Sequence, residues 1–386
     1  MKSCSASSQT VNAFRAGIEI GEKLFPINPE IVFLFISVHY IEKYKDFYDG
    51  LIEGLGQNVP LIAGSVGDGI IERQCYSNQG VAALALNSCG EVQWNASIES
   101  NVRQDSFKAA RTCAESVVRS GDTPACAFVF ADGISSDGTC ITNGLNAVLK
   151  CPIAGGLSCD DRKFSRTPIL YGDTIVDNAI LVVAASGNII CSINAASGWV
   201  PLGEKAVIEK CDGKKLYRIG GITPYEFFRK QLGKSLGEVD LGSIPLAVFQ
   251  TEDTSQYTLR TPVKFDPETG EIVYFGSISP GKDAQVCTAS KDQILGGVST
   301  SVNGAAASIT DPAACFVISC AARKWLLDDS FAMELKLLQD KIGTDTPIAG
   351  FPGFGEIAPF KNADGTHTET FFHNTTFVTC LLSRSH

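Results

Sequence analysis

Fourteen cysteines and four histidines are the side chains from which this 386-residue chain could most directly build a reactive or metal-binding centre. Their spacing argues against both. No CxxC pair occurs, and Cys151 with Cys159, or Cys315 with Cys320, have separations that zinc sites rarely use. Cys126, Cys191, Cys315 and Cys380 sit in or beside apolar runs, where a reduced thiol packs as a small hydrophobe. His39, His367, His373 and His386 form no HExxH and no close pair, so neither disulfide nor zinc is expected. Gly64-Ser65-Val66-Gly67-Asp68-Gly69 has the wrong order for a dinucleotide loop, and Gly155-Gly156-Leu157-Ser158 lacks the last glycine of a nucleophile elbow. What remains is polar and acidic. Asp68 and Glu72, Asp160 and Asp161, and Glu356 each follow a similar short turn, either converging on one cavity or standing as three separate loops.

Those turns belong to a repeat. Apolar runs at Ile31–Tyr40, Ala125–Phe130 and Ala314–Cys320 are each followed by residues at helical spacing. These are Tyr44, Phe47, Leu51 and Leu55, then Ile141, Leu145 and Val148, then Phe331, Leu335, Leu338 and Ile342. Gly56 and Gly343 stand just past the first and third, as left-handed caps would. Next come Pro60-Leu61-Ile62-Ala63-Gly64, Pro152-Ile153-Ala154-Gly155 and Pro347-Ile348-Ala349-Gly350, and a further apolar strand beginning near Gly80, Asn178 and Thr376. Proline suits the start of a strand, and the glycine implies either positive φ or a close backbone approach. Gly64 and Gly155 are 91 residues apart, but Gly155 and Gly350 are 195 apart, which leaves room for a degenerate fourth copy around Ile244–Val248. Units of this length exceed solenoid repeats and predict an α/β (α+β) fold of strand–helix–strand units, in mixed sheets flanked by helices. Charged Glu204–Arg218 divides two domains, 1–210 and 211–386. A helix over Pro224–Leu232 and a hairpin turning at Asp266–Gly270 open the second.

Net charge is −10 with scattered basic residues, which excludes nucleic acid and disfavours an anionic membrane as partners. Met1–Asn12 is polar and Ser-rich, unlike a secretory leader, and the apolar runs are strand-length, so a cytoplasmic protein is expected.

Taken in order, Cys320-x-x-Arg323, Glu334, Pro347–Ile357 and His373-Asn374-Thr375-Thr376 resemble the C-terminal domain of the FIST family. Val59–Gly69 and Pro152–Asp161, with their following strands, resemble its N-terminal domain. The resemblance implies a non-enzymatic sensory protein binding a small ligand, amino acids having been proposed, with a signalling protein such as a histidine kinase as partner. The C-terminal unit is the richest in polar groups near the repeated glycine, so a pocket between the domains or repeats is expected with contacts at Arg323, Phe354, Gly355, Glu356, His373 and Asn374, and with Gly64, Asp68, Gly155 and Asp160 from the earlier units. Arg323, ending a strand, would hold a ligand carboxylate or else pair with Glu356, and Glu356 would accept an ammonium group. No cofactor is expected. The alternatives are a haem-binding nitric oxide sensor with His39, His367 or His373 as axial ligand, and a scaffold without ligand. Pro352, Gly353 and Phe354 stiffen a loop that is more polar in relatives.

Overall fold

The computed structural model describes all residues except 58, 119–122, 238–239, 251–255 and 386. Three units share one order of elements. Unit 1 runs β1 (Lys2–Ser8), α1 (Ala13–Leu24), β2 (Ile31–Ser37), α2 (Tyr44–Leu55), β3 (Leu61–Gly67), the hairpin β4 (Ile70–Glu72) and β5 (Cys75–Ser77), and β6 (Val81–Asn87). Unit 2 repeats it as β7 (Val92–Ser100), α3 (Ser106–Val118), β8 (Cys126–Ala131), α4 (Gly138–Asn146), β9 (Ile153–Leu157), β10 (Ile169–Tyr171), β11 (Thr174–Val176) and β12 (Ala179–Gly187). Unit 3 opens with β13 (Ile190–Ala196) and is then interrupted by an insertion. The insertion comprises β14 (Val200–Asp212), β15 (Lys215–Ile219), α5 (Pro224–Leu232), β16 (Leu246–Phe249), β17 (Tyr257–Arg260), β18 (Pro262–Phe265), β19 (Ile272–Tyr274) and β20 (Asp283–Thr288). Unit 3 resumes with α6 (Lys291–Ala306), β21 (Ala314–Cys320), α7 (Ala321–Leu327), α8 (Met333–Ile342), β22 (Ile348–Gly353), β23 (Gly355–Lys361), β24 (His367–His373) and β25 (Phe377–Ser383).

The units exchange hairpins in a ring. Each four-stranded sheet (β1-β6-β2-β3, β7-β12-β8-β9 and β13-β25-β21-β22) is extended by the hairpin of another unit: β10–β11, β23–β24 and β4–β5 respectively. An otherwise open sheet edge is thereby paired in every case. Three backbone hydrogen bonds at equivalent places tie the ring: Cys159 N–H to Val66 O (3.0 Å), Phe354 N–H to Leu157 O (3.1 Å) and Asp68 N–H to Pro352 O (3.1 Å).

The repeated words acquire a physical meaning here. In the parallel pairs, Phe33 lies opposite Ala63, Phe128 opposite Ala154 and Phe316 opposite Ala349. The three rings meet inside, with centroids 4.7, 5.8 and 6.0 Å apart, and the alanines leave them room. The following glycine answers the question of close approach. A Cβ on Gly64, Gly155 or Gly350 would stand 1.7, 2.0 or 1.8 Å from the carbonyl oxygen of Leu34, Val129 or Val317. Gly56 is the left-handed cap expected, whereas Gly343, at φ 89 and ψ 149, ends its helix in a different conformation.

Two expectations are corrected. Ile244–Val248 is no fourth unit, because β16 lies in the seven-stranded inserted sheet between antiparallel neighbours. The insertion accounts for the long spacing. The boundary at 210/211 falls inside β14, whose charged residues are the exposed positions of a long strand and not a linker. Among the described residues no helix is long and apolar enough to cross a membrane.

Candidate functional site

The turn at His373–Thr376, between β24 and β25, gathers most of the residues expected at the site. Thr375 adopts φ +57, a left-handed conformation that bulky residues rarely hold. Arg323 does not end a strand but lies in the first turn of α7, fully buried. Its guanidinium donates to Glu334 (2.8 Å) and to the carbonyls of Ser197 (2.5 Å), Ile294 (2.8 Å) and Thr375 (3.3 Å). Its partner is therefore Glu334, not Glu356. Glu334 also accepts from Ser319 Oγ at 2.7 Å, and burial holds its pKa above the usual carboxyl range despite Arg323. With its donors turned onto protein groups, Arg323 is a buried tie, not an open hand for a ligand.

Glu356 is fully buried and accepts through one oxygen from the Thr376 amide (2.9 Å) and hydroxyl (2.6 Å), leaving Oε1 without a partner. Burial raises its pKa to about 8, against the lowering effect of those two bonds. His373 stands opposite it in the strand register, its Nε2–H on the Ala358 carbonyl at 3.0 Å and its Nδ1 unpaired. Burial brings this imidazole down to about 4, so it is neutral. A pH profile follows. Glu356 contributes stability that is complete at low pH and lost as pH rises towards 8, because the folded state keeps a proton that the unfolded state releases. His373 acts in the opposite sense, its contribution falling away as pH drops from about 6.5 towards 4. Between about 6.5 and 8 only the Glu356 effect changes among these two, so Glu356→Gln should flatten the fall of urea-unfolding stability there. An unchanged slope would show that Glu356 is ionised throughout.

Asn374 accepts from the Thr261 amide at 3.2 Å and donates to the His373 carbonyl. With Phe354, Cys320, Thr261 and Trp325 it borders a pocket of about 20 Å³, room for a water but not a ligand. Phe354 lies under a stack with Phe164 (4.8 Å, 9°) and Phe275. Gly355 is required because a Cβ would meet the Phe372 ring at 2.4 Å. Two of the three acidic loops meet, since Asp68 and Asp161 border one cavity, whereas Glu356 does not join them. Asp68 takes Lys324 Nζ and Trp325 Nε1, both at 2.6 Å, while Asp160 caps the amides of Phe164 and Ser165. Glu72 is held by Ser5 and Ser7. Gly64 and Gly155 lie within strands and serve packing. Asp68 does share a polar cavity of about 460 Å³ with His39, Asp161, Arg162 and Lys324.

The open space is on the other side of the turn. Thr376 borders a cleft of about 850 Å³ between α6, the end of β13, the far end of β23 and the inserted sheet. Gln293, Gly296, Gly297, Thr300 and Gly304 of α6 form one wall, Asn194–Val200 a second, Phe360–Ala363 a third, and Gln256 with Tyr257 closes it. Tyr257 Oη donates to the Trp199 carbonyl and Trp199 Nε1 to that of Ser243, which fixes the insertion on unit 3. Gly297 is pressed against the Ser197 backbone, whereas a Cβ on Gly296 would meet nothing within 4 Å. The Arg323 bonds to Ser197, Ile294 and Thr375 join the cleft walls from behind. Sequence reasoning missed these residues. The glycines inside a helical segment, each unfavourable there by roughly 1 kcal/mol, were the available signal.

Of the three described histidines, two are engaged or enclosed and one borders open space. His367 Nε2 accepts the Ile193 amide at 3.1 Å, His373 is closed in the sheet, and His39 opens on the polar cavity beside Asp68.

The domain combination is now defined. Residues 30–222 match the FIST N domain and 224–359 the FIST C domain, so the chain belongs to the FIST family, whose domains are small-ligand sensors. Over 237 residues it is 25% identical to an uncharacterised protein of Methanocaldococcus jannaschii, covering 58% of this chain and 45% of that one. The match thus spans less than half of that relative. A cyanuric acid hydrolase from A. caulinodans aligns over 100% of this chain and 99% of its own at 7% identity, with a TM-score of 0.37. A chorismatase aligns over 98% of each at 8% identity and 0.34. Similarity at that level carries nothing about activity.

Proposed function

We propose that this chain is a cytosolic sensory protein that holds a small, amino-acid-like ligand in the cleft beside α6 and passes its occupancy to a signalling partner such as a histidine kinase. The observation that carries this reading is the cleft itself. Its volume of about 850 Å³ lies in the range of small-molecule sites, and its walls come from packed elements that Arg323 ties together. A ligand touching Thr376 and Ser197 presses on the residues around that tie, a route from ligand to the buried turn. The lining suits binding better than catalysis: among the described residues it includes amides, hydroxyls and glycines but no cysteine, histidine or carboxylate. Elsewhere, burial pushes the Cys113, Cys151 and Cys287 thiols up to about 12, which makes them poor nucleophiles.

Gly296 supplies the test. Its side of α6 is open, so Gly296→Trp should fill the cleft while improving helix propensity. Thermal unfolding with each of the twenty amino acids should find at least one that raises the Tm of the natural protein and leaves that of Gly296→Trp unmoved. Equal rises in both proteins would place binding elsewhere and defeat the proposal.

A further inference from the structure

The cleft is electrostatically unlike the rest of the chain. Acidic residues outnumber basic ones 42 to 32 overall, yet among the described lining residues the single charged side chain is Lys361. Lys361 is half-buried at the end of β23, and among the described residues it has no carboxylate partner. Its ammonium donates to Ser192 Oγ at 2.5 Å, and Ser192 Oγ in turn donates to the Ala305 carbonyl at 2.7 Å. This fixes the charge near the end of the cleft where Gly304 and Ala307 stand. An ammonium has three donors, so two remain for a ligand. Burial lowers the Lys361 pKa, meaning that the charge has lost water without gaining an anion in exchange.

We infer that the cleft seats its ligand by a carboxylate group, held by the Lys361 ammonium with Ser192 positioning that ammonium from behind. This rests on the proposed cleft and specifies which end of the ligand lies where. The anion is a carboxylate and not a phosphate because one ammonium matches one negative charge. Arginine is absent among the described lining residues, and the first turn of α6 closes on itself through the Ser290–Gln293 capping box. The other lining residues, among them Thr300 and Gln293 of α6 and the ring of Tyr257, are left for the remainder of the molecule.

The experiment compares the natural protein, Lys361→Met and Gly296→Trp by calorimetric titration. The probes are the twenty amino acids, their carboxamides, acetate and inorganic phosphate, at fixed ionic strength and pH 7. Amino-acid carboxylates should bind at least tenfold more tightly than the matching amides. Lys361→Met should remove that preference by weakening the acid ten- to a hundredfold while leaving the amide unchanged. Acetate should protect Lys361 from an amine-acylating reagent, read by peptide mass, even where no larger probe binds. Acid and amide binding equally, with both blocked in Gly296→Trp, would overturn the carboxylate assignment and leave the cleft as the site. Binding unaffected by Gly296→Trp would instead overturn the cleft. Preference for phosphate over acetate, or no protection of Lys361 by acetate, would also refute the inference.

Discussion

Arg323→Ala should be among the most damaging single changes in the chain, lowering unfolding free energy by about 3–5 kcal/mol, the usual cost of stranding one member of a buried ion pair. Glu334 would remain in the interior with only Ser319 to satisfy it, and the carbonyls of Ser197, Ile294 and Thr375 would lose a common donor. The measurement is urea unfolding of the natural protein, Arg323→Ala and the double variant Arg323→Met with Glu334→Leu. The double variant should recover much of the loss, since an apolar pair of similar volume is often neutral in such a place. A loss below about 1 kcal/mol in the single variant would refute the buried tie. The cleft gives a second readout: its walls meet on this guanidinium, so ligand binding and stability should fall together.

Gly350→Ala is the other large effect, and Gly296→Ala is its control. At Gly350 the new methyl would stand 1.8 Å from the carbonyl oxygen of Val317, a backbone atom in the neighbouring parallel strand. No rotamer relieves such a clash. The sheet must open, and a cost of at least about 3 kcal/mol is expected, the upper end for overpacking. At Gly296 the methyl meets open space within α6, so the same substitution should stabilise by roughly 0.5–1 kcal/mol. Comparable unfolding midpoints for the two variants would contradict this account of the repeated glycine. Gly64 and Gly155 occupy the same position in their own sheets and should behave as Gly350 does.

What the sequence determined by itself was the local grammar. The helix Tyr44–Leu55 with its cap at Gly56, the helix Pro224–Leu232, and the hairpin around Asp266–Gly270 follow from periodicity, capping and turn chemistry within a few residues. Three copies of a strand that begins after a proline and carries Ala-Gly were legible for the same reason, since each copy needs a small residue beneath a phenylalanine and no side chain beside a carbonyl. Arg323 and Glu356 each bond the turn that follows His373 and Asn374, Arg323 at the Thr375 carbonyl and Glu356 at the Thr376 hydroxyl.

Only the tertiary structure decided what those residues do. Whether Arg323 faces a ligand or Glu334 depends on how α7 and α8 lie on one sheet, and residues eleven apart in sequence carry no mark of that. The exchange of hairpins was hidden because each pairing joins strands far apart in the chain, as in β22 with β4. The cleft was hidden for a related reason. Lys361, Gly296 and Tyr257 come from a sheet, a helix and an inserted strand, and the space between them exists only once the insertion has folded back on unit 3. Local propensity fixes which elements form, whereas a cavity is a property of surfaces that long-range packing brings face to face.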